Sequence, residues 1–128
     1  MSMRTPLKNV RGLGSAKEGT SHWWHQKITA VALIPLFVIA LAYVISLVGA
    51  DYERVRYILS LPFTSLILLL LIGMTFYHMK LGLQVVIEDY IHNEGSKMIL
   101  LLLNSFFCVV VGLASALAVL KLAFVGMM

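Results

Sequence analysis

Three apolar runs leave this chain few folds to choose from. The first extends from Ile28 to Gly49 without a charged side chain. The second, Phe63 to Ile87, is interrupted only by His78 and Lys80, and the third, Met98 to Leu120, is again uncharged. A bilayer core about 30 Å thick takes about 20 helical residues at about 1.5 Å each. Each run is long enough. In hydrocarbon every backbone N–H and C=O needs an internal partner, and segments of this length find one as helices. The expected fold class is therefore an all-α membrane protein with three transmembrane helices. Their expected positions are about 28–50, 62–88 and 97–125. Residues 1–27 are expected to form a basic arm and interfacial segment, and residues 28–128 the three-helix transmembrane domain.

Composition agrees. Of 128 residues, 60% are hydrophobic and 12% charged, and the mean hydropathy is +0.92. A soluble domain carries about twice that share of charge. So short a chain, mostly within a bilayer, leaves faces that partner chains must cover. The net charge of +4 does not point to nucleic acid; in an oily protein basic residues mark the cytoplasmic side. The lone Cys108 lies in an apolar run, forms no internal disulfide and reads as a small hydrophobe.

The first run begins too late, and is too long, for a signal peptide, and no small-residue cleavage pattern follows it. The basic segment before it is read as the cytoplasmic tail of a bacterial protein rather than a transit peptide. Arg4, Lys8, Arg11, Lys17 and Lys27 precede the first span, and Lys80 and Lys97 flank the loop between the second and third. Arg54, Arg56 and Lys121 fall on the other side. The bias puts the N-terminus and the Glu88–Ser96 loop in the cytoplasm, or in the matrix of a mitochondrion. Pro35 is expected to kink the first helix mildly, and Pro62 to sit in the first turn of the second. Trp23 and Trp24 read as an interfacial belt. Gly112 and Ala116 form a small-xxx-small pair suited to close helix packing.

The residues that invite a functional reading occupy "HMKLGLQVVIEDY", His78 to Tyr90. An ionisable side chain within a membrane helix is costly and marks a candidate site. His78 is expected about nine residues from the cytoplasmic end of its helix, roughly 13 Å into the hydrocarbon. Both imidazole nitrogens need partners there. A metal or haem iron on one and a hydrogen bond on the other would satisfy them, as would bonds to a neighbouring helix. At about 100° per residue, Asp89 falls within about 20° of the direction of His78, three turns lower. Gly82 shares that face and removes a side chain where a flat macrocycle would need room. Tyr90, about 100° round from Asp89 at the same depth, has a phenol that can donate to a carbonyl oxygen; it reads equally as an interface anchor, and Asp89 equally as a solvated charge just past the helix. Lys80, on nearly the opposite face, is expected to snorkel toward the cytoplasm.

The string H-x-x-L-G-x-Q-V-V-x-x-D-Y-x-H, here His78, Leu81, Gly82, Gln84, Val85, Val86, Asp89, Tyr90 and His92, resembles the hydrophobic membrane-anchor subunits of succinate dehydrogenase, respiratory complex II. "SHWWHQKITAVAL", Ser21 to Leu33, is similar to that family's His-Trp motif before its first span. The resemblance implies a second membrane anchor, also of three spans, and a flavoprotein and an iron–sulfur protein on the cytoplasmic or matrix side. It implies that His78 is one axial ligand of a haem b shared with that second anchor. It implies that Tyr90 hydrogen-bonds ubiquinone with Asp89 beside it. Many family members have arginine where Lys27 stands; that position is a possible support for a haem propionate or the quinone site, with a point charge in place of a planar fork. No role is carried over to His22, His25 or His92. The expected function is membrane anchor of succinate:ubiquinone oxidoreductase, without a succinate-oxidising centre of its own. The expected location is a bacterial cytoplasmic membrane. Two other classes compete. One is a small transporter, which needs ionisable residues along several spans. The other is a haem-free packing subunit of another respiratory assembly, such as a fumarate reductase anchor.

Overall fold

A computed structural model describes residues 5–12 and 19–126. Among these the chain is all-helical: α1 (Pro6–Arg11), α2 (Gly19–Ser46), α3 (Tyr52–Ser60), α4 (Pro62–Tyr90) and α5 (Glu94–Gly126). Three of them, α2, α4 and Glu94–Phe124 within α5, are long and apolar enough to cross a membrane. The three expected spans are there.

Two differences in extent have physical causes. The first long helix begins at Gly19, nine residues ahead of the apolar run, and carries "SHWWHQK" as helix. Polar residues near an interface cost a membrane helix little, so the apolar run marks the lipid-buried part and not the helix end. Between the first two spans lies α3, a short helix that the apolar runs do not announce. Asp51 caps it, accepting a hydrogen bond from the Arg54 N–H at 3.2 Å, and Glu53 adds a carboxylate to the first turn, where the helix dipole favours it.

The junctions follow from local chemistry. Gly49, at φ +79°, takes the left-handed conformation that turns the chain out of α2. Pro62 holds Leu61 extended, at φ −62° and ψ 135°, so α3 stops there and α4 starts at once. The side chain of Asn93 accepts from the Ser96 N–H at 3.0 Å and caps α5. The helix α2 runs through Pro35 without interruption.

The packing order decides which faces are free. Among the described residues α4 packs against both α2 and α5, and α2 makes no comparable contact with α5. The helix α4 is thus the middle of a row, and α3 lies across α4 and α5. Gly112 lets α5 approach Phe76; a β-carbon there would lie 3.3 Å from the ring. Asn104, buried in α5, donates to the carbonyl of Lys80 at 3.0 Å. The buried hydrophobic set is small: Ile67, Leu81, Cys108 and Val119. Along α2, Val31, Ile34 and Phe37 are each about two-thirds exposed, at 67%, 64% and 65%. An apolar surface this bare is stable against lipid or another helical chain and not against water.

Candidate functional site

The α2–α4 seam holds the polar groups that the second run could not discard. His78, half-buried on α4, points its Nδ1 at the hydroxyl of Thr29 on α2, 2.9 Å away. Thr29 is 5% exposed. Its hydroxyl also lies 2.7 Å from the carbonyl of His25 and 3.1 Å from that of Gln26. Those carbonyls can only accept, and a hydroxyl has one hydrogen to donate. With that hydrogen on the His25 carbonyl, the shorter of the two contacts, the Thr29 oxygen accepts from the imidazole. On that placement of the hydroxyl hydrogen, Nδ1 of His78 carries the proton. In a neutral ring the lone pair is then on Nε2. Among the described residues nothing bonds Nε2.

Two neighbours on α2 complete the seam. His22, Gln26 and Thr29 recur at helical spacing on the face turned to α4. Both His22 Nε2 and Gln26 Oε1 are buried without a hydrogen-bond partner among the described residues. The Gln26 amide lies against Gly82, where a β-carbon would sit 3.4 Å from its Nε2. The flexible end of the Gln26 side chain thus lies on the face where Gly82 was expected to leave room for a flat macrocycle. A macrocycle on His78 would have to approach from the Nε2 side of the ring.

The other candidate residues fall elsewhere. Asp89 and Tyr90 form the last turn of α4, both exposed, Tyr90 at 75%. They are eleven and twelve residues beyond His78, which puts them about 16–18 Å along the helix axis. Within the chain the nearest polar pairing on that turn is Gln84 donating to Glu88 at 2.9 Å. Lys27 is exposed and carries its ammonium 5.8 Å from the centre of the Trp23 ring. Two residues from Thr29, it is about 200° round α2 from the α4-facing side. His25 donates its own Nδ1–H to the carbonyl of Ser21 at 2.7 Å, with its ring edge-on to Tyr77. Lys80 lines an open groove of about 360 Å³ between α4 and α5, with Phe76, Tyr77, Cys108 and Gly112. That groove does not include His78.

Among the described residues no three or more His, Cys, Asp or Glu side chains gather as a metal centre. Thr29 and Gln26 lie within the Ser21–Leu33 stretch, but that resemblance gave neither of them a role. Their signal in the sequence is the recurrence of polar residues at positions 22, 26 and 29 on one helical face.

Three apolar spans in a row, with an imidazole in one seam and bare outer faces, define a small multi-pass membrane subunit. Comparison with known proteins gives its kind. Residues 1–112 match the family of succinate dehydrogenase/fumarate reductase transmembrane subunits, and the chain belongs to that family. It is 36% identical over 127 residues to the succinate dehydrogenase hydrophobic membrane anchor subunit of Paracoccus denitrificans, covering 96% of this chain and 92% of that one. It is 31% identical over 116 residues to the protein of the same name from Rickettsia bellii, covering 91% and 93%. A protein named succinate dehydrogenase membrane anchor subunit, from Reclinomonas americana, is 29% identical over 86 residues, covering 65% and 72%. No solved structure matches the chain.

Proposed function

We propose that this chain is the anchor subunit of a succinate:ubiquinone oxidoreductase in a bacterial cytoplasmic membrane, holding one side of a haem b and part of a ubiquinone site. The observation that carries the haem reading is the hydrogen bond between Thr29 and His78. An imidazole protonated on Nδ1 and otherwise unbonded has the donor that haem iron takes, with its second nitrogen already satisfied. A second histidine to hold the haem would come from the other membrane anchor.

When bound, the haem would supply one-electron exchange between ferric and ferrous iron. The rest of the chemistry is positional. The lysine and arginine bias supports a cytoplasmic end for α4, which puts Asp89 and Tyr90 at the membrane boundary. That depth is within reach of a soluble iron–sulfur protein. There the Tyr90 phenol would donate a hydrogen bond to a quinone carbonyl as negative charge develops on its oxygen. Asp89, exposed beside it, would exchange protons with the cytoplasm. Lys27, engaged with Trp23 and turned from the seam, has the weakest geometric support among these residues. Flavoprotein, iron–sulfur and second anchor subunits would cover the exposed faces of the row. A small transporter is disfavoured because α2 from Ile28 onward carries no charged residue.

The test is purification from membranes by a tag on this chain. The expected result is co-purification of succinate–quinone reductase activity with a low-spin b-type haem. A tagged chain recovered without either overturns the reading.

A further inference from the structure

The hydrogen bond at the α2–α4 seam has a direction, and the direction has a consequence. Thr29 is fixed by its own helix. Its backbone and its bond to the His25 carbonyl at 2.7 Å leave the hydroxyl lone pairs aimed across the seam. The nearest group there is His78 Nδ1 at 2.9 Å. A ring whose Nδ1–H is so held has its rotation about the Cβ–Cγ bond set as well as its tautomer. Its Nε2 lone pair faces away from α2.

We infer that Thr29 is the positioning residue of His78: as hydrogen-bond acceptor it keeps the imidazole proton on Nδ1, presents Nε2 to iron, and makes the ring a stronger electron donor. The effect on iron rests on the haem reading above; the tautomer rests on the seam geometry alone. An acceptor on the distal N–H of a ligating imidazole raises ligand basicity and so favours the ferric state. Thr29 touches neither iron nor quinone and acts only through His78. It is isosteric with valine, so the hydroxyl can be removed with little change in shape.

The experiment uses the complete complex in detergent with Thr29→Val, Thr29→Ser and His78→Gln. Redox titration of the b-type band is expected to show a higher midpoint potential in Thr29→Val and a wild-type potential in Thr29→Ser. Loss of haem from the valine variant with retention in the serine variant supports the inference equally. Equal potentials in wild type and Thr29→Val overturn it. A second readout does not depend on haem. In histidine-15N-labelled, dithionite-reduced complex, the signal that disappears in His78→Gln is expected to show a proton on Nδ1, shifted downfield by its acceptor. That shift is expected to persist in Thr29→Ser and to be lost in Thr29→Val. A His78 proton on Nε2 in the wild type overturns the inference whether or not haem is present. A hydrogen-bonded Nδ1–H together with an unaltered haem spectrum in His78→Gln overturns the haem reading and leaves the tautomer assignment standing.

Discussion

The side-chain amide of Gln26 lies against the backbone of Gly82, at a separation that would put a β-carbon on residue 82 only 3.4 Å from Gln26 Nε2. One methyl group fits at that distance as an ordinary contact. A branched side chain does not, and α2 would have to move away from α4. Gly82→Ala is therefore expected to assemble normally. Gly82→Leu is expected to lose about 1–3 kcal/mol from the seam and to lengthen the Thr29–His78 bond. Thermal unfolding of the purified complex reads the difference; equal melting temperatures for wild type and Gly82→Leu would show the seam to be looser than described.

Gly112 sets the other seam. A β-carbon there would meet Phe76 at 3.3 Å, closer than the Gln26 contact and against a ring that can shift only slightly. Gly112→Ala is expected to be mildly destabilising, and Gly112→Leu to cost about 1–3 kcal/mol. The pair Gly112→Leu with Phe76→Ala should recover part of that loss, since the larger residue then has the space of the ring. Melting temperatures of the three variants test this.

How far the sequence revealed this molecule depends on what holds each part. The spans were legible because hydrocarbon thickness and backbone satisfaction act on uncharged length alone, and Ile28–Gly49 and Met98–Leu120 meet that condition by themselves. The true start of α2 was not legible, because His22, His25 and Gln26 look like an interfacial tail until α4 is seen packed against them. The helix α3 was not read from the sequence, because its charged residues break the apolar pattern; its Asp51 cap is visible only in the structure. His78 stood out because an imidazole in an apolar run is rare. Its partner did not, since the approach of Thr29, 49 residues earlier in the chain, is decided by tertiary packing. The contact beside Gly82 was hidden for the same reason: its neighbour, Gln26, comes from another helix.

Asn104 ties α5 to α4 by donating to the Lys80 carbonyl at 3.0 Å while 8% exposed. Interhelical hydrogen bonds in membranes contribute about 0.6 kcal/mol on average and up to about 1.7. Asn104→Leu is expected to destabilise the complex by an amount in that range, read as a lower melting temperature, without altering a haem spectrum. A spectrum that changes with Asn104 would couple the α4–α5 seam to His78, against the separation of the two seams.

Tyr90 is exposed at the end of α4 and bonded to nothing in its own chain among the described residues. Removing its hydroxyl should therefore leave folding untouched. Tyr90→Phe is expected to slow succinate-dependent quinone reduction by about ten- to a hundredfold, the scale of a hydrogen bond to a charged oxygen. Succinate oxidation with a dye that accepts electrons before the quinone site should stay at the wild-type rate. Quinone reduction at the wild-type rate would remove Tyr90 from the site.

The central claim is that the Nε2 of His78 is an iron ligand, and the reduced-minus-oxidised visible spectrum of the purified complex bearing His78→Ala tests it most directly. The low-spin b-type band of the wild type is expected to be lost or converted to a high-spin form while the subunits still co-purify. An intact low-spin band in that variant would contradict the claim.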